Sequence, residues 1–318
     1  MRDIFNLIGR RLGLGLVTLL VISLIIFFMV ELLPGDVAQA VLGQGATEDN
    51  LAALRKEMGL DQPAILRYLS WLQGTLIFDF GNSVVTGGSV SALIGGRLMN
   101  TLFLASYAAV IAVPLSIFLG VVIAMLRNTI FDRIANVVTL TWVSAPDFFL
   151  AYILILFFSV KWQMFPAISS LNPGMDFLEL LERTFLPALV LIMITIAQMM
   201  RMTRATIVNL LASPYIEMAR LKGAPPWKVI VKHALPNAWA PIISVVALNL
   251  AFLITGVVLV EVVFVYPGIG QALVNAVAKR DFPVVQACCL IFAATFILLN
   301  LAADVGAILT NPRLRHPK

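Results

Sequence analysis

Leu12 to Leu33 is an apolar run broken only by Glu31 near its far end, long enough for a helix to cross a bilayer core, which takes roughly 20 residues. Five more such runs follow: Thr101 to Leu126, Ile134 to Val160, Leu186 to Met200 continuing toward Leu211, Ala240 to Val262, and Pro283 to Leu309. Six spans predict an all-α polytopic membrane protein. Composition excludes a soluble alternative: 60% of residues are hydrophobic and only 12% charged, against roughly 25% charged in soluble domains. The first run reads as a retained span, since no small-residue cleavage site precedes Leu32-Leu33-Pro34-Gly35-Asp36. Arg10-Arg11 before it reads as a charge anchor.

The net charge of +5 does not point to nucleic acid, because the basic residues are spread over short links between spans. Placing the N-terminus in the cytoplasm collects Arg2, Arg10, Arg11, Arg127, Arg133, Arg201, Arg204, Arg220, Lys222, Lys228, Lys232, Arg313, Arg315 and Lys318 on the inner side. Most carboxylates, among them Asp36, Glu48, Asp49, Glu57, Asp61, Asp79, Asp176, Glu179 and Glu182, then lie outside. The positive-inside rule thus predicts that both termini are cytoplasmic.

Three segments are expected: residues 1–33 as tail and first span, 34–97 as a small extracytoplasmic subdomain, and 98–318 as a five-helix core. In the subdomain, Asn50 to Met58 places Leu51, Leu54 and Met58 on one helical face, and Gly59-Leu60-Asp61-Gln62-Pro63 ends it. Ala64 to Gly74 predicts a second amphipathic helix with Tyr68 and Trp71. Trp142, Trp162 and Tyr266 read as interface anchors.

Between the fourth and fifth runs lies a polar, basic insert, Ser213-Pro214-Tyr215-Ile216-Glu217-Met218-Ala219-Arg220-Leu221-Lys222-Gly223. Ser213 suits an N-cap, Pro214 the first helical position, and Gly223 before Pro225 and Pro226 a stop. Two to three turns of helix are marginal alone in water, so a docking partner is expected. Tyr215, Ile216, Met218 and Ala219 offer apolar contact surface, while Glu217 and Arg220 can pair at i,i+3 or meet partner charges.

What the chain lacks is equally telling. There is no phosphate-binding G-x-x-x-x-G-K-[ST] loop, so ATP must be hydrolysed elsewhere if it is used. No H-E-x-x-H, G-x-S-x-G or Cys-x-x-Cys occurs, the histidines are His233 and His316, and Cys288 adjoins Cys289 in an apolar run. No catalytic, metal-binding or cofactor-binding site is expected in this chain. Of the ionisable residues in spans, Glu31 and Glu261 lie near outer ends and Asp304 near an inner one; Asp147, after Pro146, lies deep and is a candidate pathway residue.

Glu217 to Gly223, with His233-Ala234-Leu235-Pro236-Asn237 downstream, resembles the E-A-A-x-x-x-G…L-P signature of permease subunits of bacterial ABC importers. The whole chain is similar to the dipeptide/oligopeptide (peptide/nickel) branch of that family. Matching pieces are Arg10-Arg11, Leu33-Pro34-Gly35-Asp36, Gly59-Leu60-Asp61-Gln62-Pro63 with Tyr68 and Trp71, Glu261-Val262-Val263-Phe264, Tyr266-Pro267-Gly268-Ile269-Gly270, Asp281-Phe282-Pro283-Val284-Val285-Gln286 and Pro312-Arg313-Leu314-Arg315. Met218 and Leu221 stand where the family favours alanine, Phe78-Asp79-Phe80-Gly81 replaces Gly-Asp-Leu-Gly, and Asn311 replaces an aspartate.

The resemblance implies a cytoplasmic coupling helix at 213–223, supported by Ser213, Pro214, Pro225, His233 and Pro236, that docks on a separate ATPase. It further implies a second homologous permease, two ATPase subunits holding ATP and Mg, an extracytoplasmic solute-binding protein, and a bacterial inner-membrane location. Peptide import by alternating access is the expected activity. Nickel chelates, glutathione or oligosaccharides are alternative cargoes, and an ion-coupled secondary transporter is the rival mechanism.

Overall fold

A computed structural model of the chain describes residues 2–31, 47–57, 61–172 and 174–310. Leu33-Pro34-Gly35-Asp36, Met58-Gly59-Leu60 and the tail from Asn311, including His316, lie outside the described residues. The helices are α1 (Arg2–Glu31), α2 (Glu48–Glu57), α3 (Ala64–Leu76), α4 (Val90–Met125), α5 (Ile130–Ser144), α6 (Asp147–Lys161), α7 (Phe177–Leu211), α8 (Pro214–Leu221), α9 (Pro226–Val263), α10 (Ile269–Lys279) and α11 (Phe282–Thr310). Among the described residues the only β pairing is a single bridge, Asn82 to Ser89.

Among the described residues, five helices are long and apolar enough to cross a membrane. Their outward faces carry large apolar side chains such as Leu16, Val110, Phe118 and Phe252, as lipid rather than water requires. Helix α4 starts well before Thr101, so the expected boundary at residue 97 falls inside a continuous helix.

The third expected span differs most. Instead of one continuous helix from Ile134 to Val160, α5 and α6 meet at Ala145-Pro146 with a bend of 103°. Pro146 has no amide to donate and pushes Ala145 out of the helical region, to φ −81° and ψ 135°. The fifth span also differs: it extends back from the expected Ala240 to Pro226 and takes in His233 to Asn237. A widened π turn at Val229–Ala234 gives the Pro236 ring room against the preceding turn, where regular α geometry would bring it onto the Lys232 carbonyl.

Small residues set the tightest packing. Ala105, Ala108, Ala112, Ser116 and Gly120 form a buried stripe on α4, and α4 with α7 is the most extensive helix pairing. A Cβ at Gly120 would stand 2.7 Å from Thr203 Cβ and 2.9 Å from the Met200 carbonyl. Glycine there lets the two backbones touch.

Helix α1 packs on α11, with an Arg11–Asp304 ion pair at one end. Its other end takes α3, through a 2.9 Å Ser23–Tyr68 hydrogen bond and a cluster of Phe27, Tyr68 and Trp71. Tyr68 and Trp71 therefore join the helical core. The segment before α4 is tied to the start of α11: the Ser83 hydroxyl and the Val84 amide both donate to Asp281.

Candidate functional site

Helix α8 stands between the end of α7 and the start of α9. It begins at Ser213, as expected, but the Ser213 side chain makes no capping bond. The backbone carbonyl of Ser213 instead accepts from the Ile216 and Glu217 amides, at 3.0 and 3.3 Å. Pro214 at the first position forfeits only an amide that has no partner in a helix start. The stop is at Gly223, whose φ of +80° is left-handed and suits glycine. Its amide and that of Ala224 close the last turn on Arg220 and Ala219.

The apolar face of α8 divides in two. Ile216 is fully buried against Val229 and Ala234, with Leu211 and Ala224 beside it. It cannot offer its side chain to another protein: it anchors the helix to its own chain. The expectation of a short helix without an internal partner is thus corrected. Tyr215, Met218 and Leu221 are 43%, 55% and 76% exposed, and Trp227 at the start of α9 is 58% exposed.

Glu217 and Arg220 are both exposed and form no ion pair with each other. Ala219 and His233 are half-buried, and Pro225 and Pro236 are exposed. The exposed side chains of α8 are therefore Tyr215, Glu217, Met218, Arg220 and Leu221, and Trp227 at the start of α9 is exposed as well. Trp227 escaped the sequence reading because it lies past the two prolines that seemed to end the element.

About two turns before the end of α7, Arg204 grips Asp132 on α5 with two bonds of 2.7 Å. Asn136 and the Asn128 amide also donate to the Asp132 carboxylate. The α5 start is thereby fixed to the helix that leads into α8.

The second feature is a cavity of about 340 Å³ among α6, α7 and α9. Its polar lining is Asp147, Thr195, Gln198, Asn249 and Thr255, with Phe252 among the apolar walls. The Pro146 break puts Asp147 at the start of α6, facing this space. Sequence reading singled out Asp147 but none of the other four. Thr195 and Gln198 share a helical face at i,i+3, a signal present in the sequence but not decisive in so apolar a chain.

The family model of the binding-protein-dependent transport system inner membrane component matches residues 116–316, and its N-terminal companion matches residues 4–105. The chain belongs to this family. A probable peptide ABC transporter permease of Sinorhizobium fredii is 34% identical over 96% of this chain and 98% of its own length. A putative peptide transport system permease of Brucella abortus is 35% identical, over 98% and 99%. A glutathione transport system permease of Salmonella choleraesuis is 36% identical, over 98% and 99%. This is an ABC transporter permease of the peptide/nickel type, an inner-membrane multi-pass subunit of a binding-protein-dependent system.

At the end of the permease bundle away from α8 is a knot that the sequence suggested only as a motif. Glu261, two residues before the end of α9, is fully buried. It accepts from Thr101 Oγ1 at 2.6 Å and from the Gly270 and Gln271 amides at 2.8 and 3.1 Å. Thr101 Oγ1 in turn accepts from the Ile269 amide at 2.9 Å. The start of α10 is thus held by a carboxylate of α9 and a hydroxyl of α4, where its free amides favour negative charge.

Both glycines of Gly268-Ile269-Gly270 are needed for this approach. A Cβ at Gly268 would fall inside the Glu261 carboxyl group, and one at Gly270 would stand 2.7 Å from Val258 Cα. Tyr266 is also fully buried and donates to the Asn100 carbonyl at 2.7 Å, so it is no interface anchor. Burial, with Glu261 close by, pushes the phenol pKa up and keeps it a donor.

Proposed function

We propose that this permease moves di- and oligopeptides inward by alternating access, driven by ATP hydrolysis on separate subunits that push on α8. In this reading it pairs with a second homologous permease and with two ATPase subunits carrying ATP and Mg. A solute-binding protein delivers cargo at the opposite, extracytoplasmic face. Both termini and α8 lie on the cytoplasmic side, as the basic residues favour.

The observation that carries the coupling role is the division of α8. Ile216 fixes the helix rigidly to the chain, while Tyr215, Met218 and Leu221 project from it. A push on that surface would pass directly to α7 and α9, without slack from a flexible tether. Gly223 and the following prolines hold the angle.

The test uses the complete transporter in proteoliposomes with its binding protein. Gly223→Asp should weaken ATPase attachment or uncouple hydrolysis from uptake while leaving membrane insertion intact. Full ATPase attachment and normal cargo-stimulated turnover in that variant would remove the coupling role. For cargo, peptide relatives and the glutathione relative both support a peptidic substrate. ATP-dependent uptake of radiolabelled trialanine and of glutathione would be compared directly.

A further inference from the structure

We infer that Asp147 is the counter-charge for a primary ammonium group of the cargo, making the cavity among α6, α7 and α9 selective for peptides with a free amino terminus. This rests on the cavity being part of the peptide route proposed above.

Among the described residues, Asp147 is the single charged residue lining the cavity, and no cationic side chain faces it there. Nor is its carboxylate used structurally: among the described residues it has no hydrogen bond or ion pair. It does not cap α6, because the Pro146 carbonyl already accepts from the Phe149 and Leu150 amides, at 2.9 and 3.2 Å. A carboxylate without a partner among membrane-spanning helices is costly, and such groups characteristically serve a pathway.

Its surroundings fit one end of a peptide. Gln198 and Thr255 line the cavity and are exposed, and among the described residues Gln198 likewise has no partner. Its amide supplies both donors and acceptors for a peptide bond. The Thr255 hydroxyl bonds back to the Phe252 carbonyl at 2.9 Å and can still accept. An ammonium ion has three donors and no acceptor, which matches an acceptor-only carboxylate. A volume of about 340 Å³ falls within the range of small-ligand sites.

The field can be read without transport. In Thr255→Cys, the ratio of modification rates by a cationic and an anionic methanethiosulfonate of similar size reports the charge felt at the cavity wall. The background rate from the native cysteines is subtracted using the parent protein. The ratio should favour the cation, fall about tenfold on adding Asp147→Asn, and be kept by Asp147→Glu. In the reconstituted transporter, Asp147→Asn should lower trialanine uptake about tenfold, with Asp147→Glu retaining most of it.

A ratio that Asp147→Asn leaves unchanged would overturn the inference whatever uptake does. So would undiminished trialanine uptake in a variant whose ratio has shifted. If the unsubstituted transporter takes up neither trialanine nor glutathione with ATP, the peptide reading fails. The thiol ratio would still report on Asp147 separately.

Discussion

Replacing Glu261 with glutamine removes one charge and almost no volume, which makes the buried knot at the start of α10 a sharp test of the hydrogen-bond reasoning. In the native arrangement one carboxylate oxygen takes the Thr101 hydroxyl and the other takes the Gly270 and Gln271 amides. Glutamine can keep its single oxygen on the two amides. Its NH2 then faces Thr101 Oγ1, which can accept it alongside the Ile269 amide, but the hydroxyl proton loses its acceptor. Losing charge assistance and stranding one buried donor should together cost about 2–4 kcal/mol.

If the knot opens locally, that cost lowers the protection of the α10 amides by about 30-fold to 1000-fold. Hydrogen exchange with mass spectrometry on a peptide spanning Gly268 to Asn275 would read it, in detergent-solubilised complex. Thr101→Val strands the Ile269 amide and one carboxylate lone pair on its own, so the double variant should cost at least 1 kcal/mol less than the two singles added. Exchange at Gly270 and Gln271 within about threefold of native in Glu261→Gln would refute the reasoning. So would strict additivity in the cycle.

Gly120→Ala should force α4 and α7 apart, since carbon atoms at 2.7 Å lie about 1 Å inside ordinary contact; a loss of about 1–3 kcal/mol is expected, read as a lower midpoint in thermal unfolding. Asp132→Asn breaks a shielded bidentate pair with Arg204 and should cost about 3 kcal/mol, whereas Arg183→Ala removes a more exposed partner of Glu179 and should cost under about 1 kcal/mol in the same assay. Ile216→Ala leaves a hole under α8 and should cost about 2–4 kcal/mol locally, seen as faster amide exchange across Pro214–Leu221 with α10 unaffected.

Those apolar runs determined by themselves that the chain is a helical membrane protein, because lipid leaves the backbone no other partner for its amides and carbonyls than its own helix. The punctuation around α8 was just as legible: a proline and a glycine act through local backbone geometry, and both ends fall where they predict. The motif residues from Glu261 to Gly270 were visible as a pattern without a reason. Only the tertiary structure decided that Glu261 is a buried acceptor for α10, that Ile216 turns inward, and that Tyr266 is core.

Each of those outcomes depends on which neighbouring helix comes within a few ångströms, and in an apolar bundle the sequence carries no such record. The broken third span shows the same division. Pro146 is the local cause of the bend, but the angle, and the cavity it opens beside Asp147, come from how α6 packs against α7 and α9. Thr195, Gln198, Asn249 and Thr255 reach that space from two different helices, so no local pattern could have gathered them; packing alone brings them together.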